Sequence, residues 1–429
     1  MMKRINRCGM VVLIIAAFLL VATLGTSAAE KRIVRYWTGW TGFEAKELQK
    51  IIDDFNATHP NIEVRMTNVW GQYDKFLTAV AGGDPPEVAS CVWTSQIAPF
   101  AARDALLPLD QYIKRDKIDP NDFMPGLWRS FDFEGHIYGM AATTNSTMIA
   151  YNKGIFREVG LDPNEPPRTL DELNKAIDKT TKIDKRGYIE RIGYLPSSLY
   201  HWGLVFGGNF YDEAKHRVTA NDPHIVSALE WLGSFAKRYD IRKLQAFQAG
   251  FGARQSPNNP FFVGKQVMVD AGEWQISEAR RYAPKLDFAF FPAPPPAGGR
   301  KNVTIFEGSM FVIPKGSKYP DEAWEFIKYI TGPEASERFC YALQNISPRK
   351  KVAYMDKFTK DPRFKMGIDL LAGENAYGPI RIPVADTYYA EMAKAVDYVR
   401  QGQKTAKQAL DDLTKLVQGE LDQFYASKK

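Results

Sequence analysis

The fold is decided by residues 33–66, which read IVRYWTGWTGFEAKELQKIIDDFNATHPNIEVRM. The first five residues are apolar, aromatic or β-branched apart from one arginine, and they predict a β-strand. After the glycine-containing stretch 38–42 the apolar residues recur at helical spacing, at Leu48, Ile51, Ile52 and Phe55. The helix is predicted to end at His59-Pro60, because proline cannot continue it, and residues 62–66 predict a second strand. Strand, helix and strand in succession indicate a βαβ unit and hence an α/β fold.

The same alternation continues outward from this unit. Apolar residues at helical spacing occupy 73–80, a Gly-Gly-Asp-Pro-Pro turn occupies 82–86, and residues 88–93 predict a third strand. A second set of strands and helices begins near Asn145. Repeated alternation predicts mostly parallel sheets flanked by helices. The chain is longer than one hydrophobic core usually supports, so we expect two domains.

The N-terminal segment 1–29 has the three parts of a signal peptide. Its apolar run spans 10–24 and small residues follow at 26–29, while the basic residues that precede the run are Lys3, Arg4 and Arg7. An uncleaved anchor is the alternative, but the apolar centre is shorter than the roughly 20 residues of a membrane span. Cys8 precedes the run and therefore cannot be a lipid-bearing cysteine. We expect cleavage near Glu30 and a free, soluble periplasmic protein.

The charge pattern argues against nucleic acid as a partner, and the cysteine pattern indicates buried thiols. The chain has 56 Lys and Arg against 50 Asp and Glu, a net charge of +6, and the two signs are interspersed. Nucleic acid binding would need a clustered basic face, so we expect none. Cys91 and Cys340 lie in apolar patterns that indicate buried thiols, although an oxidising compartment would permit a disulfide between them.

Six groups of residues match one protein family in the same order along the chain. They are YWTGW (36–40), AGGDPPEV (81–88), YNK with GLDP (151–153 and 160–163), TLDEL (169–173), FVGKQVM with GEW (262–268 and 272–274) and AWEFIKYITGPE (323–334). The sequence resembles the extracellular solute-binding proteins of carbohydrate ABC importers, of the maltodextrin-binding, family 1 type. The resemblance implies that a mono- or oligosaccharide binds between two lobes and that the closed form is recognised by the membrane permease.

The resemblance also implies two lobes built from discontinuous chain, with an interlobe cleft. We place the first crossover near 143–146 and the return near 306–309. The expected N-terminal lobe comprises 30–143 and 309–360. The expected C-terminal lobe comprises 146–306 and 361–429.

A sugar site combines aromatic platforms with polar groups that bind hydroxyls. The candidate ligand-binding residues are Trp40, Trp93, Asn145, Tyr200, Trp202, Glu273, Trp274, Glu307, Gly308, Tyr377 and Arg381. Trp40 follows the first predicted strand and Trp93 ends the third, where open sheets bind ligands. Trp274 corresponds by resemblance to the family's cleft tryptophan, with Glu273 in place of the family's proline. The alternative role of each aromatic candidate is core packing, and that of Asn145 and Glu307 is a place in the hinge.

Sugar binding has two alternatives. A periplasmic glycosidase would need two carboxylates placed across the scissile bond, but the His-Glu-x-x-His and Gly-x-Ser-x-Gly motifs are both absent and the five histidines lack metal-ligand spacing. The same fold with a polyamine or an anion as ligand is the second alternative. We therefore expect a monomeric binding protein with no catalytic residues, no metal and no cofactor. Its expected partners are a carbohydrate and, transiently, the permease subunits.

Overall fold

A computed structural model describes residues 31–69, 73–252 and 255–428. The expected signal peptide, 1–29, lies outside the described residues. None of the described helices combines the length and the apolar content needed to cross a membrane.

Strands and helices alternate through most of the chain. The strands are β1 Arg32–Thr38, β2 Ile62–Asn68, β3 Val88–Trp93, β4 Asp132–Phe133, β5 His136–Ile137, β6 Met140–Thr144, β7 Met148–Asn152, β8 Lys182–Ile183, β9 Ile189–Tyr194, β10 Tyr211–Asp212, β11 Arg217–Val218, β12 Gln266–Ala271, β13 Phe288–Phe291, β14 Thr304–Ile305, β15 Gly308–Val312 and β16 Ala376–Tyr377. The helices are α1 Gly42–Thr58, α2 Tyr73–Ala81, α3 Thr94–Ala102, α4 Asp110–Arg115, α5 Pro125–Arg129, α6 Lys153–Glu158, α7 Leu170–Thr180, α8 Leu199–Phe206, α9 Pro223–Tyr239, α10 Ile241–Ala249, α11 Gln275–Tyr282, α12 Pro320–Ile330, α13 Pro333–Leu343, α14 Lys350–Ala353, α15 Asp356–Thr359, α16 Pro362–Ala372, α17 Ala385–Arg400 and α18 Ala406–Ser427.

Two five-stranded sheets form the centres of two lobes, as expected. The first has the order β2-β1-β3-β15-β6 and the second has the order β13-β7-β12-β9-β8. The opening βαβ prediction is confirmed: β1 pairs in parallel with β2 and β3. The predicted inward face of α1 is confirmed too, since its four apolar residues are all buried.

The expectation of mostly parallel sheets needs correction, because both sheets are mixed. In the first sheet β15 runs antiparallel to β3 and β6. In the second sheet β7 runs antiparallel to β12 and β13, and β12 pairs in parallel with β9. The cause is the path of the chain. Both β15 and β7 enter their sheets from the side where their neighbours end, and therefore run the opposite way.

Three chain segments lie side by side between the sheets. The first, 145–147, joins β6 to β7, and the second, 304–307, leads into β15. They are joined by the Thr147 N–H, which donates to the Ile305 carbonyl at 3.0 Å. The third, 375–378, accepts from the Thr304 and Phe306 N–H groups, each at 3.0 Å. We call these three segments the crossovers.

The two faces of the second sheet pack into different hydrophobic cores. On β7, Met148 and Ala150 belong to the same buried cluster as the first sheet. Ile149 and Tyr151 belong to a separate cluster formed with α7, α8 and α9. Side chains alternate across a strand, so neighbouring residues enter opposite cores. The first core is therefore continuous from one lobe to the other, and we call it the shared core.

Cys340 on α13 is a buried free thiol, as its apolar pattern predicted. Its Sγ donates to the Ala142 carbonyl at 3.4 Å. Burial raises the pKa of this thiol to about 12, which keeps it protonated and unreactive. The side chain of Cys91 lies outside the described part of the structure.

Candidate functional site

The edges of both sheets that border the crossovers carry most of the predicted site residues. In the first sheet Ser309 lies opposite both Trp93 and Thr143, and Gly308 lies opposite Thr144. In the second sheet Ala271, the last residue of β12, lies opposite Met148, the first residue of β7. The chain ends of β3, β6 and β12 are therefore all directed at the gap between the lobes, where open sheets bind ligands.

Glu307 is held at the first-lobe side of this gap. Its carboxylate accepts a short hydrogen bond from the Thr94 hydroxyl and one from the Ser95 N–H at 3.2 Å. Both donors lie at the start of α3, where helix N–H groups and the helix dipole favour an anion. Burial nevertheless raises the pKa of Glu307, and these hydrogen bonds oppose the rise. The side chain remains partly exposed and able to accept further hydrogen bonds.

Asn145 and Glu307, which were expected at the two different crossovers, lie together. The Glu307 N–H donates to the Asn145 Oδ1 at 3.2 Å, and the Thr144 hydroxyl donates to the Glu307 carbonyl at 2.9 Å. Gly308 lies directly beside them. A Cβ at this position would approach Thr94 Cγ2 to 3.1 Å, so the glycine allows β15 to lie close against the start of α3.

Tyr200 faces this group from the second lobe. Its hydroxyl donates to the Gly378 carbonyl at 2.5 Å, and its ring packs against Phe210 and Tyr389. Burial is the main cause of its raised pKa, and the negative charge of Glu307 raises it further. Tyr200 is thereby attached to the third crossover.

Trp274 lies on the second-lobe side and is partly exposed. Its ring covers the backbone of Gly272: a Cβ at residue 272 would lie only 2.0 Å from Trp274 Cζ3. Only glycine therefore permits this ring position. A tryptophan fixed in this way has the properties of a flat platform for a ligand.

Glu273 is placed differently from its expected role as a ligand contact. Its side chain is fully buried, and its Oε2 accepts from the Ser146 N–H of the first crossover at 3.2 Å. Burial raises the pKa of this carboxyl to about 8. The carboxyl faces inward while the neighbouring Trp274 ring is partly exposed, so Glu273 does not reach the gap.

Two of the predicted aromatic contacts lie in hydrophobic cores. Trp202 has no exposed surface and packs against Tyr194 and Trp231. Helix α8 is apolar on nearly all sides, so its tryptophan is enclosed by the second lobe. Trp40 is 8% exposed and contacts Phe339 edge-on at 5.3 Å. Trp93, in contrast, is partly exposed at the edge of the first sheet.

Tyr377 and Arg381 lie on and just after the third crossover. The Tyr377 ring lies beneath the Arg300 guanidinium at 5.7 Å. Arg381 donates to the Arg129 carbonyl at 3.0 Å, and it forms ion pairs with Asp132 at 3.5 Å and Glu213 at 2.8 Å. Its guanidinium therefore connects first-lobe residues to a second-lobe carboxylate. We call this group the Arg381 bridge.

Three further contacts join residues of the two lobes. Arg103 pairs with Asp386 at 3.6 Å, and Lys428 pairs with Glu134 at 2.8 Å. The Arg281 guanidinium lies 5.1 Å from the Phe43 ring.

Two surface grooves, of about 580 and 850 Å³, contain none of the predicted site residues. The first of them borders the third crossover at Asn375.

Thr94, Ser95 and Tyr389 contact the candidate residues Glu307 and Tyr200 and were not predicted. Thr94 and Ser95 directly follow the predicted strand that ends at Trp93, so a helix start at that point was the available signal. Tyr389 accepts from the Ile380 N–H at 2.9 Å and lies against Tyr200. Across the described ranges, no group of three or more His, Cys, Asp and Glu side chains is arranged to hold a metal ion.

Comparisons with known proteins agree with this architecture. Residues 50–366 match a family model described as bacterial extracellular solute-binding protein. The chain is 23% identical over 342 residues to the maltotriose-binding protein of Pyrococcus abyssi, covering 75% of this chain and 68% of that protein. It is also 23% identical to the periplasmic sn-glycerol-3-phosphate-binding protein of Pectobacterium atrosepticum, covering 96% of this chain and 97% of that one.

Solved structures show the same fold. A protein named CpMnBP1, with mannotriose bound, superposes with a TM-score of 0.81 at 29% identity, covering 90% of this chain and 99% of that chain. The maltose-bound MalE3 of T. maritima gives a TM-score of 0.75 at 21% identity, covering 91% of this chain and 100% of that chain. The two-lobe architecture expected from the sequence is thereby confirmed.

Proposed function

The chain belongs to the bacterial extracellular solute-binding proteins, and we propose that it is the substrate-binding component of an ABC importer that takes a neutral oligosaccharide between its lobes. Membership of an extracellular family makes it an exported protein. We further propose that it is a free periplasmic monomer, released by cleavage near Glu30. The permease subunits would be its transient partners.

The observation that carries the proposal is the group formed by Asn145, Glu307 and Tyr200 at the crossovers. Glu307 belongs to the first-lobe edge, and Tyr200 of the second lobe donates to the Gly378 carbonyl of the third crossover. Partly exposed tryptophans, Trp93 and Trp274, lie at the two sheet edges. Hydrogen-bonding groups beside flat rings are the combination that a sugar requires. The mannotriose complex of CpMnBP1 supports an oligosaccharide as ligand.

The charges around the gap favour a neutral ligand over sn-glycerol 3-phosphate, which one relative binds. Glu307 would repel a phosphate. Two arginines beside the third crossover are already engaged. Arg300 donates to the Leu204 and Gly208 carbonyls, and Arg381 is engaged in the Arg381 bridge. A bound phosphate normally needs such guanidinium groups for itself.

We propose binding without catalysis, since the matched family and the relatives named above are binding proteins. We also propose the lobe boundaries expected from the sequence, 30–143 with 309–360 and 146–306 with 361–429. Packing of α17 and α18 against α9 supports the assignment of the C-terminal residues to the second lobe. Ligand would shift the equilibrium toward the closed form only by its additional contacts in that form.

A thermal-shift screen tests the proposed ligand class. Mannotriose or maltotriose at about 100 times Kd is expected to stabilise the folded protein by about 2.7 kcal/mol, because only the folded state binds it. The melting temperature should then rise by a few degrees. Glycerol 3-phosphate and spermidine serve as the comparison ligands. A rise with either of these and with no oligosaccharide would contradict the proposal.

The Arg381 bridge gives a second prediction. Arg381→Ala removes two contacts from the second lobe to the first, the ion pair with Asp132 and the hydrogen bond to the Arg129 carbonyl, each contributing about 0.5 kcal/mol. If they stabilise the closed form, the Kd for the identified sugar should rise about fivefold. The change should shrink in high salt. Arg157→Ala, which breaks the exposed Arg157–Asp287 pair on the second lobe, is the matched control for calorimetry. Equal affinities in the two variants would remove the bridge from the closing mechanism.

A further inference from the structure

Glu273 is a second-lobe residue whose carboxyl is buried against the first crossover. It follows β12, yet its Oε2 accepts from the Ser146 N–H in the first crossover at 3.2 Å. The Ile346 backbone also lowers the pKa of this carboxyl, while its N–H donates to the Thr144 carbonyl at 3.1 Å. The carboxyl therefore contacts the chain segments about which the lobes must rotate.

Little in the surroundings compensates a negative charge on Glu273. Within the described ranges it forms no salt bridge, and its Oε1 has no hydrogen-bond partner. The titratable group that faces it is the Cys340 thiol on α13, whose pKa the Glu273 charge would raise. The first crossover presents the Ser146 N–H to it. A buried carboxyl in such a setting stays protonated at neutral pH.

Trp274 depends on this attachment for its position. It is the next residue in the chain, and its ring lies on Gly272, the residue before Glu273. On the other side its carbonyl accepts from the Glu278 N–H at 3.1 Å and from the Ser277 hydroxyl at 3.0 Å, which fixes it to the start of α11. The Trp274 ring is thus held between the start of α11 and Glu273, which is attached to the first crossover.

We propose that Glu273 is a positioning residue: its buried carboxyl ties the Trp274 platform to the first crossover, so that platform and hinge move together when the lobes close. The inference rests on the proposed function, because Trp274 is a platform only if the gap binds a sugar. Glu273 itself does not touch the ligand.

Calorimetry with mannotriose at pH 6 and pH 9 tests this role. The wild-type affinity is expected to fall about tenfold at pH 9, because an ionised carboxyl would leave its apolar site and release the ring. Glu273→Gln keeps the shape of the side chain without the charge. Its affinity for mannotriose should therefore match that of the wild type at pH 6 and should not fall at pH 9. Glu273→Ala should bind about tenfold more weakly at both pH values. Glu165→Gln, at an exposed carboxylate, is the control and should behave like the wild type.

Hydrogen exchange of residues 268–282 provides a readout without ligand. Faster exchange in Glu273→Ala and restored protection in Glu273→Gln are expected at pH 6. If no sugar binds the wild type while exchange behaves as expected, the proposed ligand class fails and the attachment stands. If sugar binds but neither the pH profile nor the exchange changes in these variants, the positioning role is overturned and the proposed function stands.

Discussion

Glu273→Gln is expected to be more stable than the wild type by about 3 kcal/mol at pH 7, with the difference vanishing toward pH 4. Burial raises the pKa of Glu273 from its usual 4.5 to about 8 in the folded protein. Between these two values the folded state keeps a proton that the unfolded chain releases. The contribution of Glu273 to the free energy of unfolding is therefore fully present below the pKa of the carboxyl in the unfolded chain. It falls by about 1.4 kcal/mol per pH unit until the pH reaches the pKa in the folded protein. Glutamine does not titrate and removes this loss.

Guanidinium unfolding between pH 4 and pH 9 measures this effect. The quantity of interest is the difference in free energy of unfolding between Glu273→Gln and wild type, plotted against pH. It should rise from pH 4.5 and become flat above pH 8. The Glu165→Gln variant, altered at a side chain that is 71% exposed, should show no comparable rise. Parallel curves for Glu273→Gln and wild type would mean that the carboxyl is solvated in solution.

Gly272→Ala is expected to weaken oligosaccharide binding about a hundredfold. The new Cβ would occupy a point 2.0 Å from the Trp274 ring, so the ring must leave its present position. The sugar then loses its platform, which contributes about 2 to 3 kcal/mol through buried area and stacking. The backbone of Gly272 has no left-handed conformation that would add a second penalty.

Titration calorimetry on Gly272→Ala, with circular dichroism as the check on folding, measures this loss. Gly419→Ala is the matched control, since a Cβ at residue 419 on α18 meets no atom within 4 Å. The control should bind like the wild type. Unchanged affinity in a folded Gly272→Ala variant would show that the Trp274 ring takes no part in binding.

The sequence predicted the local elements better than the direction of the strands. Hydrophobic period and turn residues located β1, α1 and β2 because these signals depend on neighbouring residues alone. Whether β15 runs with or against β3 depends on where the chain re-enters the sheet, more than 200 residues later. That information is absent from the local pattern. The expectation of mostly parallel sheets was wrong for this reason.

Position along the chain was the better guide to where the candidate residues lie. Asn145 and Glu307 were placed at the crossovers, and the structure joins them by a hydrogen bond. Residue type was a poorer guide. Trp202 was expected to be a platform, but it lies on a helix that is apolar on nearly all sides. Glu273 was expected to contact the ligand, but its carboxyl faces the first crossover. Burial of a single side chain is decided by packing between distant segments, which no local pattern contains.

The shared core also limits how such a protein can be assembled from parts. Phe288 and Phe290 on the edge strand β13 belong to the shared core with residues of the first sheet. Phe291 belongs to the separate hydrophobic cluster of the second lobe. A hybrid that took one lobe from this chain and the other from a relative would change the neighbours of alternate residues along a single strand. The lobes are therefore not interchangeable modules, and recombination at the crossovers would have to exchange one face of the second sheet together with its partner lobe.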